Sequence, residues 1–172
     1  MKLQKNTSLA LYSVLDFAAD PTRHISGAEI AQKYGVSPHH LAKVLSELAR
    51  AGIVESVRGV GGGYRFAGNA RRLTLMDVIQ LFEQFGMPEG ARREAGERTP
   101  VGGALRAVLS EIDDIARATF NSITLATMLQ LIERQQRANP ASAAVAARGQ
   151  RAAGSARPAA EVPRRAVRAV AK

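Results

Sequence analysis

The chain has 172 residues, no cysteine, and 24 Lys and Arg against 15 Asp and Glu, which gives a formal net charge of +9. This length fits one domain with an appendage. The lack of cysteine excludes disulfides, thiolate zinc sites, cysteine-ligated iron–sulfur clusters and cysteine nucleophiles. No apolar stretch approaches the ~20 residues that cross a bilayer, and no signal-peptide cleavage site follows the basic N-terminus. We therefore expect a soluble cytoplasmic protein without membrane association.

The charge is concentrated at the C-terminal end. Residues 1–137 carry 17 basic and 14 acidic side chains, whereas residues 138–172 carry 7 basic and 1 acidic. The second segment contains 14 alanines and no Leu, Ile, Met or aromatic residue. Because it lacks large apolar groups, it cannot offset the entropy lost on ordering. The composition predicts a disordered basic tail at 138–172 and a foldable unit over 1–137.

Helix signals dominate the first fifty residues. Apolar spacing predicts a helix over 9–19. A capping-box pattern at Ser26 opens a second helix, which Gly35 ends. Ser37, followed by proline, caps a third helix that extends to about Ala51. Two helices joined by a short glycine-containing turn are a helix-turn-helix.

A glycine-rich hairpin follows the third helix. Residues 53–57 and 64–66 have strand character, and the connecting residues 58–63 are mostly glycine. A further capping box at Thr74 predicts a helix through about Phe85. These elements predict a winged helix-turn-helix domain over residues 1–86.

The remaining foldable residues predict a loop and a long helix. Residues 87–103 lack periodicity and are rich in Gly, Pro, Glu and Arg, which favours a loop. From Leu105 to Ile132, apolar residues recur every three or four positions. A helix over 104–137 with so wide an apolar face must bury it, most simply against a second copy. We therefore expect a mainly α fold, a winged helix-turn-helix with a small hairpin wing and a long C-terminal dimerisation helix.

Candidate DNA contacts lie in two places. The first turns of a recognition helix reach base edges, and the arginines beside the hairpin tip suit the minor groove or phosphate. The predicted DNA-binding residues are Ser37, His39, His40, Lys43, Arg58, Gly59 and Arg65.

Other chemistry is poorly supported. His39 and His40 are adjacent, so on a helix they point about 100° apart and make a poor metal chelate. The glycine run at 59–63 lacks the third glycine of a dinucleotide fingerprint and the Lys-Ser/Thr of a Walker loop. Asp113 and Asp114 are expected on a solvated helix face. Since no nucleophile–base–acid set is evident, the sequence predicts no enzyme, no metal and no cofactor.

The run from Val36 to Tyr64, with its Ser-Val-Arg-Gly-Val-Gly-Gly-Gly-Tyr wing, closely resembles the Rrf2 (BadM-type) family of bacterial winged-helix transcription regulators. This family includes the iron–sulfur regulator IscR and the nitric-oxide sensor NsrR. The likeness extends back to the first helix and forward through residues 73–79. It returns weakly at 100–102 and 123–126, so it covers most of residues 1–137.

The resemblance implies a homodimer whose long helices cross and whose winged helices each read half of a palindromic operator in double-stranded DNA. It places Ser37, His39, Lys43 and Arg58 at positions used for DNA contact, and Tyr64 at a position that braces the wing. Sensing members hold an iron–sulfur cluster with three cysteines in the loop before the dimer helix. This chain has none there, and Thr99 stands where related cysteine-poor members often carry a cysteine. The signal is then a small-molecule effector or partner, or the protein binds DNA constitutively.

Three functions stay open at this point. The first is a sequence-specific dimeric transcription regulator, with repression favoured over activation. The second is an architectural, largely non-specific DNA-binding protein driven by the basic tail. The third is a protein-interaction module, since a winged helix can also serve as a partner-binding surface.

Overall fold

The computed structural model describes residues 2–59, 62–84 and 95–139. Within them it is mainly helical, with one two-stranded antiparallel sheet, which confirms the predicted fold class. A short 3-10 turn covers Ala95–Arg98. The elements are α1 (Lys5–Ala19), α2 (Gly27–Tyr34), α3 (Pro38–Arg50), β1 (Val54–Val57), β2 (Gly63–Phe66), α4 (Leu75–Ile79), α5 (Pro100–Ser122) and α6 (Leu125–Ala138).

The helix-turn-helix forms because its ends are locally encoded. The Ser26 hydroxyl accepts a hydrogen bond from the Glu29 N–H at 3.1 Å, and Gly35 ends α2 in the left-handed region with φ 61°. The Ser37 hydroxyl then caps α3 by accepting from the His40 N–H at 3.3 Å. Each bond satisfies a backbone donor that a helix start leaves without an internal partner. Both helices therefore lie where the sequence predicts them.

Helix α1 begins at Lys5, so the predicted start at residue 9 was wrong by one turn. Its N-cap, Gln4, offers no side-chain bond. Instead the Glu83 carboxylate, which follows α4, accepts from the Gln4 N–H at 2.6 Å and from the buried Thr7 hydroxyl at 2.9 Å. A carboxylate at a helix N-terminus is favoured by the helix dipole. This cap comes from 79 residues away, so no local sequence pattern announced it.

The wing is a hairpin that is also tied to the segment before α2. Strands β1 and β2 pair from Val54↔Phe66 to Val57↔Gly63. Tyr64 exchanges backbone hydrogen bonds with Ile25, at 3.0 and 2.9 Å, on the other edge of β2. This close approach requires glycine at 63, because a Cβ there would lie 2.6 Å from the Ile25 carbonyl oxygen. The main chain at the half-buried Tyr64 thus ties the wing to the segment before α2.

One apolar core joins elements from both ends of the described chain. Phe17 of α1, Leu45 of α3 and Ile79 of α4 are fully buried, and so is Leu125 at the start of α6. Helix α6 packs against α1. The core of the winged helix thus includes a residue beyond the predicted domain boundary at 86.

Helix α4 is shorter than predicted. Its capping box forms as expected, with Thr74 and Asp77 bonding each other's backbone N–H. The helix ends at Ile79 instead of about Phe85, and Leu81 and Phe82 make tighter turn bonds to carbonyls three residues back. Phe85 itself lies outside the described residues.

The prediction of one helix over 104–137 was also wrong. Helix α5 already begins at Pro100, where the Thr99 hydroxyl accepts from the Gly102 N–H at 3.1 Å. The helical run then stops at Ile123. There the Ile123 carbonyl accepts from the Leu75 N–H, and the Leu125 N–H donates to Leu73, both at 2.9 Å. These tertiary bonds hold Ile123 in an extended conformation and separate α5 from α6.

Two predicted segments lie mostly outside the residues that the structure describes. The loop predicted at 87–103 is described only from residue 95, and its last residues are the 3-10 turn and the first turn of α5. Of the tail predicted at 138–172, only 138 and 139 are among the described residues.

Candidate nucleic-acid interface

Helix α3 has one buried face and one open face. Its buried side chains are Leu41, Val44, Leu45 and Leu48. Opposite them, His39, Ala42, Lys43 and Ser46 are exposed, together with Arg50 at the end of the helix. His39 and Ser46, seven residues apart, share the middle of this face, and Ala42 and Lys43 lie to either side of it. The open face therefore presents an imidazole, an ammonium, a hydroxyl and a methyl group.

The two histidines that are predicted to contact DNA, at the N-terminus of α3, lie in different environments. His39 is exposed at the second helical position. His40 is only partly exposed, and its Nε2 is enclosed without a hydrogen-bond partner among the described residues. The first helical N–H groups and the positive end of the helix dipole lie at this end. His39 is therefore well placed for an external anion or base edge, whereas the Nε2 of His40 is turned inward.

The two arginines of the wing that are predicted to contact DNA also differ in their surroundings. Arg58 is exposed at the end of β1, directly before Gly59, whose φ of 114° favours glycine. Arg65, on β2, is instead paired with Glu55 across the hairpin. A Cβ at Gly62 would meet the Val57 carbonyl oxygen at 2.3 Å, so the turn that positions Arg58 cannot accept a larger residue unchanged.

The basic residues of this region fall into two groups. Arg23 pairs with Glu29, and Arg50 pairs with Glu47 at 2.8 Å. Within the part of the chain that the structure describes, Lys43 has no carboxylate partner and Arg58 has none either. An exposed cation without a carboxylate partner is available to an external phosphate. Lys43 and Arg58 are thus the open charges of α3 and of the wing among the described residues.

A polar cluster holds α2 in place against α1. The Asp16 carboxylate accepts from the Lys33 ammonium at 2.7 Å and from the Tyr34 hydroxyl at 2.9 Å. Burial and the neighbouring Asp16 raise the pKa of the Tyr34 phenol above its ordinary value, so it remains a donor. Tyr12 stacks on the Tyr34 ring. Because α2 leads directly into α3, this cluster helps to fix the recognition helix.

Two residues of the open face were missed in the sequence. Ala42 and Ser46 are exposed beside His39 and Lys43. The signal was present, because the four apolar positions of this helix already define the opposite face. Neither side chain carries a charge or an imidazole, so the residue types that predict DNA contact did not include them.

Helix α5 has an open apolar face of a different kind. None of its residues is buried. Six of its large apolar side chains are exposed, from 53% at Leu109 to 78% at Val101, whereas Phe120 packs against the core. They recur at helical spacing along one side: Val101, Leu105, Val108, Leu109, Ile112 and Ile115. A stripe of this length, over a helix of about 34 Å, is more than an ordinary surface leaves uncovered.

A winged helix with an open recognition helix and a basic wing defines a class, the DNA-binding transcriptional regulators. The Rrf2 family, described as iron-dependent transcriptional regulators, matches residues 3–131. The chain belongs to this family. The transcriptional regulator BadM of Rhodopseudomonas palustris is 47% identical over 137 residues, which cover 80% of this chain and 86% of BadM.

Solved structures show the same fold. CymR, the global cysteine regulator of Bacillus subtilis, is 26% identical with a TM-score of 0.62, and the match covers 76% of this chain and 98% of CymR. IscR of T. potens is 27% identical with a TM-score of 0.59, over 79% and 91% of the two chains. The named relatives are regulators and not enzymes, in agreement with the sequence prediction.

The iron in the family description does not fit the residues of this chain. The sequence contains no cysteine, so no thiolate can hold an iron–sulfur cluster. Over the described ranges, no three His, Asp or Glu side chains come together as a metal site. At the position where related members often carry a cysteine, Thr99 uses its hydroxyl to cap α5 and to donate to the Gly96 carbonyl at 2.7 Å.

Among the described residues, no helix has the length and apolar character needed to span a membrane.

Proposed function

We propose that this protein is a cytoplasmic, sequence-specific transcriptional repressor that binds a palindromic operator in double-stranded DNA as a homodimer, without an iron–sulfur cluster. One observation carries the proposal. Among the described residues, the same chain presents an open face of α3 on which Lys43 has no carboxylate partner and, on α5, an apolar stripe that nothing covers. The first suits a DNA groove and the second suits another copy.

In this proposal α3 enters the major groove. His39 and Lys43 face base edges and phosphates, while Ser37 caps the helix start and contacts a phosphate of the DNA backbone. Arg58 and Gly59 bring the wing to the minor groove or to the phosphates beside it. The pairing of Arg65 with Glu55 and the inward Nε2 of His40 give those two residues secondary roles.

The homodimer rests on α5. Burial of Leu105, Leu109 and Ile112 against the same residues of a second copy removes their apolar surface from water, and each such side chain contributes about 1.5–3 kcal/mol when fully buried. A two-fold interface made by one helix is self-complementary by symmetry. Two winged helices related by that axis match the two halves of an inverted repeat.

Repression follows from occupancy. A dimer that covers two half-sites excludes other proteins from the same stretch of DNA. Because this chain lacks the cysteines that hold a cluster, a small-molecule effector or partner would have to release the dimer, or it binds constitutively.

Selection of random duplexes by the full chain at physiological salt tests the proposal. The expected result is enrichment of an inverted repeat whose half-site centres lie about one helical turn, or a multiple of it, apart. If a folded dimer enriches no sequence, sequence-specific regulation is excluded and the architectural DNA-binding function is favoured.

The basic tail at 138–172 is the feature that favours that second function. Its 7 basic residues against 1 acidic can bind phosphate without regard to sequence. Deletion of 138–172 is expected to weaken binding equally on operator and random DNA. It should also reduce the slope of log affinity against log salt by up to about 0.9 for each phosphate that the tail neutralises. An unchanged salt slope after deletion would show that the tail does not bind DNA.

A further inference from the structure

Helix α3 offers one methyl group to the groove at the edge of its polar face. Leu41, Val44 and Leu45 are buried in the core and cannot reach DNA. Ala42 is exposed, with the Lys43 side chain about 100° away round the helix. From this placement we infer that Ala42 selects thymine at one position in each half-site. The inference rests on the proposed DNA-binding function.

The chemistry of the groove supports this choice. In the major groove a thymine differs from the other bases by its C5-methyl group, and alanine is among the side chains that contact it. Ala42 carries no polar atom that could read a hydrogen-bonding edge, and it is short enough to let the helix approach the base pairs. Polar readout then belongs to His39, Lys43 and Ser46, and apolar readout belongs to Ala42.

The size of the effect follows from one methyl group. Loss of a buried carbon of this kind weakens binding by about fourfold per half-site, or about 15-fold for a symmetric operator. This loss of operator affinity is small compared with the loss expected if α3 no longer contacted DNA at all. The test therefore has to remove the methyl group alone and to measure coupling between protein and DNA.

The experiment uses the full chain and its selected operator. Each thymine pair related by the operator symmetry is replaced in turn by deoxyuracil, which removes only the C5-methyl group. The wild-type chain is expected to lose about 15-fold at one pair of positions. Ala42→Gly is expected to bind the thymine and deoxyuracil forms of that operator equally well.

Matched variants separate this contact from a weakened helix. Ser46→Gly places a glycine in the same helix and should keep the full deoxyuracil penalty. Pro38→Ala alters the other exposed apolar residue near the helix start and should also keep it. Ala42→Gln, in which a polar side chain of high helix propensity replaces the methyl group, should also lose the penalty and covers the case in which Ala42→Gly does not fold.

The outcomes distinguish this inference from the proposed function. If specific binding is seen but no deoxyuracil penalty depends on Ala42, the inference is wrong and the proposed function stands. The inference is equally wrong if the penalty disappears in Pro38→Ala instead. If no operator can be selected, the proposed function fails and this inference fails with it.

Discussion

Helices α3 and α5 are both amphipathic, but the apolar face of α3 is buried whereas that of α5 is exposed. Leu41, Leu45 and Leu48 of α3 are buried by α1, the wing and the rest of the core. On α5, no residue is buried. An amphipathic helix within one chain normally covers its apolar stripe. Helix α3 is therefore fully packed within the monomer and leaves only its polar face open, whereas the apolar stripe of α5 is left uncovered by the described residues, and we propose that a second copy covers it.

The largest expected effect comes from placing a charge on the α5 stripe. Ile112→Asp buries an unpaired carboxylate in the proposed interface, which should weaken the dimer more than roughly 100-fold. Operator affinity falls with it, because each half-site is then bound separately. Sedimentation equilibrium and operator titration measure the two losses.

A matched control lies on the same helix. Ser110 is exposed on the side of α5 opposite the apolar stripe. Ser110→Asp adds the same charge and should leave both the dimer and the operator affinity unchanged. A dimer that survives Ile112→Asp would refute the assignment of this face.

The next effect tests the DNA-reading side. Arg58→Ala removes the open charge of the wing and should cost about 1–3 kcal/mol of operator binding if the arginine makes a good base contact. Arg65→Ala should cost less, because Glu55 already engages that guanidinium. Isothermal or fluorescence titration at fixed salt gives both values. Full operator affinity in Arg58→Ala would show that this arginine makes no base contact in the complex.

The smallest expected effect comes from a substitution that frees a charged side chain instead of removing one. Glu55→Gln removes the carboxylate that holds Arg65, so the freed guanidinium can reach phosphate. Affinity for random DNA should rise about twofold, and the salt slope should steepen by up to about 0.9 for each further phosphate that is neutralised. The double variant Glu55→Gln with Arg65→Ala should lose this gain. A gain that persists in the double variant would mean that Arg65 is not its source.

The same contrast explains what the sequence could predict. Helices α2 and α3 were located correctly because Ser26, Gly35 and Ser37 encode their ends within a few residues. The start of α1 was missed because its cap, Glu83, is distant in the chain. The separation of α5 from α6 was missed because Ile123 leaves the helix to bond Leu75.

The candidate site divides in a similar way. Lys43 and Arg58 could be found from residue type and spacing, and the structure leaves both of them open. The pairing of Arg65 with Glu55 and the enclosure of the His40 Nε2 depend on how elements pack, which spacing alone does not reveal. Ala42 was overlooked because it carries no polar group, although the helical pattern already placed it on the open face.

We propose that two copies of α3 are held in a fixed relation by paired α5 helices. The most direct measurement is operator affinity of the full chain after insertion of five base pairs between the half-sites, which turns one half-site to the opposite side of the duplex. This arrangement predicts that affinity falls to that of a single half-site after the insertion of five base pairs and stays there after an insertion of ten, which moves the half-sites a further ~34 Å apart. Affinity that does not depend on the spacing would contradict it.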